Sequence, residues 1–119
     1  MIPSVELREE LRELIDEVIP ETGYESDTRF TDERIDRLLS NTNNIYAAAA
    51  DGWTRKAAML QRELGQIEEY TVGQERYKTI NLTTAINAAL NMARTYRNMA
   101  ADASSAGSMM LKIKPPEVL

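Results

Sequence analysis

The sequence predicts an all-α fold, a small bundle of about four helices with a short hairpin or loop insert between the last two and an extended C-terminal arm. Three observations carry this. Apolar residues recur at helical spacing through most of the 119-residue chain. Two long alanine-rich stretches, 45–70 and 82–101, flank a short β-prone insert. With one Trp, one Phe and five Tyr, the core must be packed from small and aliphatic side chains, which suits close helix contact. A chain of this size allows one domain with a modest core that neighbouring subunits would usefully extend. The expected division is a helical domain over 1–102 and a linker with a docking arm over 103–119.

The first helix is expected over 4–19. Ser4 suits an N-cap, and Leu7, Leu11, Leu14, Ile15 and Val18 share one face before Pro20 and Gly23 stop the pattern. Its other face carries Glu9, Glu10, Glu13, Asp16 and Glu17, with Arg12 and Asp16 at i,i+4 pairing distance. The second helix is expected over 31–41. Phe30 stands where a hydrophobic staple residue would precede the Thr31 cap, Asp32 and Glu33 suit a first turn, and Ile35, Leu38 and Leu39 form the apolar side.

Asn41-Thr42-Asn43-Asn44 breaks the pattern and caps a third helix over 44–70. There Ile45, Ala49, Trp53, Ala57, Leu60, Leu64 and Ile67 form a sustained stripe, with Trp53, Leu60 and Leu64 as core anchors. Gly52 and Gly65 each weaken a helix by about 1 kcal/mol relative to Ala, so close approach by a neighbour and simple tolerance are both open readings. The fourth helix, over 81–102, repeats the scheme with Leu82, Ile86, Ala89, Ala93, Tyr96 and Ala100, Ile86 and Tyr96 being its anchors. The two stripes should pack antiparallel. Between them, 71–80 holds the β-prone runs Tyr70-Thr71-Val72 and Tyr77-Lys78-Thr79-Ile80 around Gly73. After a flexible Ala103–Ser108 linker, Met109-Met110-Leu111-Lys112-Ile113-Lys114 is an apolar and basic strip fit for an arm that adds to a partner by main-chain pairing.

Chemistry is bounded by what the chain lacks. It has no cysteine and no histidine, which removes disulfides, thiol nucleophiles, His-based triads and His-containing zinc sites, and leans toward a reducing compartment. No phosphate-cradling glycine string occurs, so no cofactor and no metal are expected. Glu9, Glu13 and Asp16 leave a carboxylate-metal enzyme as one alternative. A small cytosolic helical regulator acting as a dimer, with the second and third helices as a DNA-binding helix-turn-helix, is another. Against it, the third helix has no Arg or Lys before Arg55 and the chain is acidic overall, at −5. Neither export nor membrane insertion is expected. The charge is polarised, with −7 over residues 1–40 and +2 over 41–119.

The order of elements resembles the head-tail connector (adaptor) proteins of tailed bacteriophages. The resemblance covers roughly residues 30–100. It rests on Phe30-Thr31-Asp32-Glu33-Arg34-Ile35, a turn, Ile45-Tyr46-Ala47-Ala48-Ala49-Ala50 leading to Trp53 and Lys56-Ala57-Ala58, the Thr71-Val72-Gly73 insert, and Ala93-Arg94-Thr95-Tyr96-Arg97. It implies a homo-oligomeric ring, commonly a dodecamer, between the capsid portal and a tail-side stopper or tail-completion protein. Such a chain would be made in the host cytoplasm and reside at the head-tail interface of the virion. DNA would pass through without sequence-specific binding, and an acidic lumen would discourage phosphate adhesion. In that setting Glu9, Glu13 and Glu17, with Arg76 and Tyr77 of the insert, are assigned to ring or lumen contacts, and Met109–Lys114 to the portal.

Overall fold

The computed structural model describes the backbone of residues 1–69 and 75–113, and the side chains of 1–67 and 80–103. Helix α1 spans Val5–Leu14, α2 Asp32–Ser40, α3 Ile45–Glu69 and α4 Glu75–Ile113, with a 3-10 turn at Glu25–Asp27. No strand occurs among the described residues. The all-α bundle of four helices predicted from the sequence is what forms.

Local signals act where the pattern placed them. The Ser4 hydroxyl accepts from Leu7 N–H at 3.1 Å, Thr31 from Arg34 N–H at 3.2 Å, and the Asn44 amide oxygen from Tyr46 N–H at 2.7 Å. Phe30 and Ile35, the staple pair around the Thr31 cap, are both fully buried in one cluster with Leu11, Ile15, Leu38, Leu39, Ala48 and Ala49. Each large side chain buried there contributes roughly 1.5–3 kcal/mol.

The end of α1 departs from expectation. It stops at Leu14 instead of continuing to 19, because Asp16 adopts a left-handed φ of 57°. Glu17 N–H then reaches back to Arg12 C=O at 2.8 Å and Asp16 N–H to Glu13 C=O at 3.3 Å. This is the Schellman arrangement, here with Asp at the position glycine usually holds. The chain turns four residues before Pro20. Val18, expected on the apolar stripe, is consequently 57% exposed, while Glu17, expected on the wet face, is buried.

Helices α3 and α4 form an antiparallel hairpin. Tyr96 stacks on Tyr46 with centroids 6.3 Å apart, Arg97 donates to the Thr54 hydroxyl at 3.2 Å, and Leu60 and Leu64 meet Leu82, Ala85 and Ile86 in a second cluster. At about 1.5 Å per residue, the 39 residues of α4 account for most of the 68 Å long axis. Helix α1 and helix α2 pack on the α3 side, and α4 has α3 as its main neighbour.

The boundaries of α4 correct the expected 81–102. Glu75–Ile80 are helical, so the insert placed at 71–80 is shortened, Arg76 and Tyr77 lie in the first turn of α4, and 70–74 fall outside the described residues. At the other end the helix continues through the expected 103–108 linker and through Met109–Ile113, which are helical and not extended; Lys114 lies outside the described residues. The physical reason is shared. Lengthening an existing helix adds a hydrogen bond for each residue fixed without a new nucleation step, whereas an isolated hairpin is marginal in water.

Gly52 marks the closest approach of α1 to α3, since a Cβ there would sit 2.8 Å from Ile15 Cγ2. Gly52→Ala should therefore destabilise the fold by about 1–3 kcal/mol despite its better helix propensity. Asp16→Gly should have the opposite sign, adding roughly 0.5–1 kcal/mol by relieving the left-handed backbone. Urea unfolding midpoints of the two variants check both signs.

Candidate functional site

The densest polar arrangement lies where α1 ends. Arg12 is 4% exposed and acts as a hub. Its Nη1 donates to Glu17 C=O at 2.9 Å and to the Thr28 hydroxyl at 3.1 Å, and its Nη2 to Phe30 C=O and Asp32 Oδ1, both at 2.9 Å. One turn earlier, Arg8 pairs with Asp36 at 2.9 Å. Arg8 and Arg12 thus meet Asp36 and Asp32 as a two-rung ladder between antiparallel helices, and the expected Arg12–Asp16 pair does not form. The hydrogen bond to Asp36 raises the Arg8 guanidinium above its already high ordinary value.

Helix α3 closes the other side. Glu17 accepts from Arg29 N–H at 2.7 Å through Oε1 and pairs with Lys56 Nζ at 2.6 Å through Oε2, the two side chains being 7% and 12% exposed. Lys56 also donates to Ile15 C=O at 3.0 Å and sits 4.6 Å from the Trp53 ring centroid. The Trp53 indole N–H donates to Leu14 C=O at 3.0 Å. The free carbonyls at the C-terminus of α1 are therefore satisfied by an indole and a cation from α3, the sign of charge that a helix C-terminus favours. The sequence paired Arg12 with Asp16 instead, and it marked neither Lys56 nor Thr28 as a partner of this turn. A signal was present, because Arg8/Arg12 and Asp32/Asp36 share one i,i+4 spacing.

Beside this network lies a cleft of about 340 Å³ lined by Val5, Arg8, Glu9, Arg12, Glu13, Val18, Ile19 and Asp32. Glu9 and Glu13 are on its exposed rim. Glu17, grouped with them from the sequence as a ring or lumen contact, is corrected to an internal ion-pair partner. Trp53 and Tyr96 are half-buried against the larger cluster, and Leu60, Leu64 and Ile86 make up the smaller one. The side chains of Arg76, Tyr77 and Met109–Ile113 (Met110, Leu111 and Lys112 included), like all of Lys114, lie outside the described residues.

Among the described residues, no three Asp or Glu are gathered as a metal-binding group, so Glu9, Glu13 and Asp16 do not converge. At the start of α3, Ala48, Ala49 and Ala50 are buried, which leaves Ala47, Asp51 and Arg55 on the outer side. No described helix is long and apolar enough to cross a membrane. What the arrangement offers is shape and charge. From Ile80 to Ala93 helix α4 carries no charged residue, although Thr83, Thr84, Asn87, Ala88, Leu90 and Asn91 are exposed. Depletion of charge on an exposed helix is a compositional mark of interface cores. Comparisons with protein-family models, with curated proteins and with solved structures find no match for this chain.

Arg12→Met should cost roughly 2–4 kcal/mol, because it removes the guanidinium that donates to the buried Glu17 and Phe30 carbonyls and pairs with Asp32. Arg8→Met removes a partly exposed pair and should cost less than Arg12→Met. Chemical denaturation of the two variants side by side checks the contrast.

Proposed function

We propose that this chain is a non-enzymatic structural adaptor of a tailed phage, joining capsid to tail as a ring beneath the portal and leaving a channel for DNA. The observation that carries the reading is the long α3–α4 hairpin projecting from a small, internally locked N-terminal globule. Helix α4 runs beyond its contacts with α3 and keeps an uncharged exposed side over 80–93. A helix gripped mainly along one face leaves most of its circumference for other chains. Ring assembly requires two different complementary surfaces on each subunit, and the opposite charge balance of the two parts of the chain supplies a basis for them. The order of capped short helix, alanine-rich helix and final long helix, which carries the resemblance to head-tail connectors, is also consistent with it.

In this reading the exposed α1 carboxylates Glu9 and Glu13 face a neighbour or the lumen, and the Met109–Lys114 segment engages the portal from the end of α4. The continuous helix over 75–113 changes the mode expected for that contact, from strand addition to a helix end presented to a groove.

The chain should be found in purified particles at the head-tail junction by cryo-electron microscopy. Deleting Met109–Leu119 should leave the unfolding free energy of the bundle within about 0.5 kcal/mol of the parent, since both clusters formed by the described residues lie before it. The same deletion should abolish co-sedimentation with portal particles. Undiminished attachment would remove the C-terminal segment from the portal contact, and absence of the chain from particles would remove the adaptor reading.

A further inference from the structure

Among the described residues, the charges on α1 and α3 that make no ion pair differ in sign, Asp51 apart. On α1, Glu6, Glu9, Glu10 and Glu13 are exposed on one face and make none of the ion pairs among the described residues. The cations of the same helix, Arg8 and Arg12, are both committed inward to Asp36 and Asp32. On α3 the position is reversed. Arg55 and Arg62 are exposed without an ion pair, while Lys56 is committed inward to Glu17. Arg97 of α4 lies against Thr54, beside Arg55, and extends the basic area.

These two surfaces cannot meet within one copy. Helix α1 approaches α3 through Gly52, Trp53 and Lys56, and Arg55 and Arg62 belong to the face turned away from that contact. Their spacing nevertheless matches. Glu6 and Glu13 are seven residues apart, as are Arg55 and Arg62, so each pair places its charges about 10.5 Å apart along a helix. Between and next after the two arginines the strip carries Ala58 and Gly65, which permit close backbone approach. A Cβ at Gly65 would meet nothing within 4 Å, so no contact within the chain requires a glycine there. Asp51 stands at one end of the strip, one turn before Arg55, and Glu69, whose side chain lies outside the described residues, is in register at the other.

We infer that the outer face of α3, with Arg55, Ala58, Arg62 and Gly65, is a docking surface for the acidic face of α1 from a second copy. The inference rests on the ring reading above and specifies its subunit contact. It is a head-to-tail interface, with different patches on the two sides, and repeats until the rotation closes. The intramolecular ladder of Arg8 and Arg12 with Asp36 and Asp32 uses the same device between two helices of one chain. Exposed charge pairs confer register and recognition more than raw affinity, so association should weaken steeply with salt.

The test is sedimentation of the purified full chain at low ionic strength over a range of concentrations. The parent should form oligomers whose apparent Kd rises at least tenfold between about 50 and 500 mM salt. Glu6→Lys with Glu13→Lys, and separately Arg55→Glu with Arg62→Glu, should each abolish assembly while keeping the parent's circular dichroism. All four changes combined in one chain should restore assembly, which a merely structural role could not produce. Gly65→Leu should block assembly without lowering the monomer's stability. A parent that stays monomeric, assembly indifferent to either reversal, or failure of the four-fold variant to recover it would overturn the inference. A monomeric parent that retards duplex DNA through Arg55 and Arg62 would overturn it in favour of a phosphate partner. Because assembly is read on the isolated chain and adaptor function on particles, either can fail without the other.

Discussion

The constraint on which this structure depends is the need to satisfy the C-terminal end of α1 where it is buried. A ten-residue helix is too short to persist on its own propensity, and its last carbonyls would be stranded against the core. Trp53 and Lys56 of α3 take those carbonyls, Glu17 neutralises Lys56, and Arg12 ties the returning loop to α1. Each group is held by the next. Buried polar networks of this kind are stable only when nearly every member is paired, and here Arg12 Nε is the one buried side-chain atom among the described residues that lacks a partner.

From that lock follows the division of the molecule into a fixed part and a reaching part. The N-terminal globule, α1, α2 and the first half of α3, shares the large cluster built on Phe30, Leu11, Ile15, Ile35 and Leu39. Among the described residues, the distal hairpin has Leu60, Leu64 and Ile86 as its buried cluster, flanked by Leu82 and Ala85. Local stability follows the density of buried apolar contacts, and the described part of this cluster is smaller than that of the globule. Elements poised to meet another chain are commonly drawn from such regions. Alanine serves both halves, since Ala48 and Ala49 let α3 lie close to the globule while Ala89 and Ala93 let α4 lie close to α3.

The same division organises charge. Cations on α1 and the lysine of α3 that face the interior are neutralised there; among the described residues the charges left without an ion pair are acids on α1 and, Asp51 apart, arginines on α3. An overall charge of −5 hides this arrangement. Surface charge that is segregated, and not interspersed, gives the chain two different faces, as the proposed ring assembly requires.

The fold class and the starts of α1, α2 and α3 were legible in the sequence because they are local: Ser4, Thr31 and Asn44 cap within three residues, and apolar periodicity reports the buried face directly. Tertiary structure alone decided where α1 stops. Asp16 in a left-handed conformation has no distinctive sequence mark, and it is compatible only because Lys56 and Trp53, some forty residues away, receive the exposed carbonyls. That choice turned Glu17 from a surface carboxylate into a buried one and Val18 from core to surface. It likewise decided the ends of α4, where β-prone and linker-like residues follow the helix already formed beside them. Spacing along a chain reports what each residue would bury, but which side chains meet is set by partners distant in sequence, and those only the folded arrangement brings into reach.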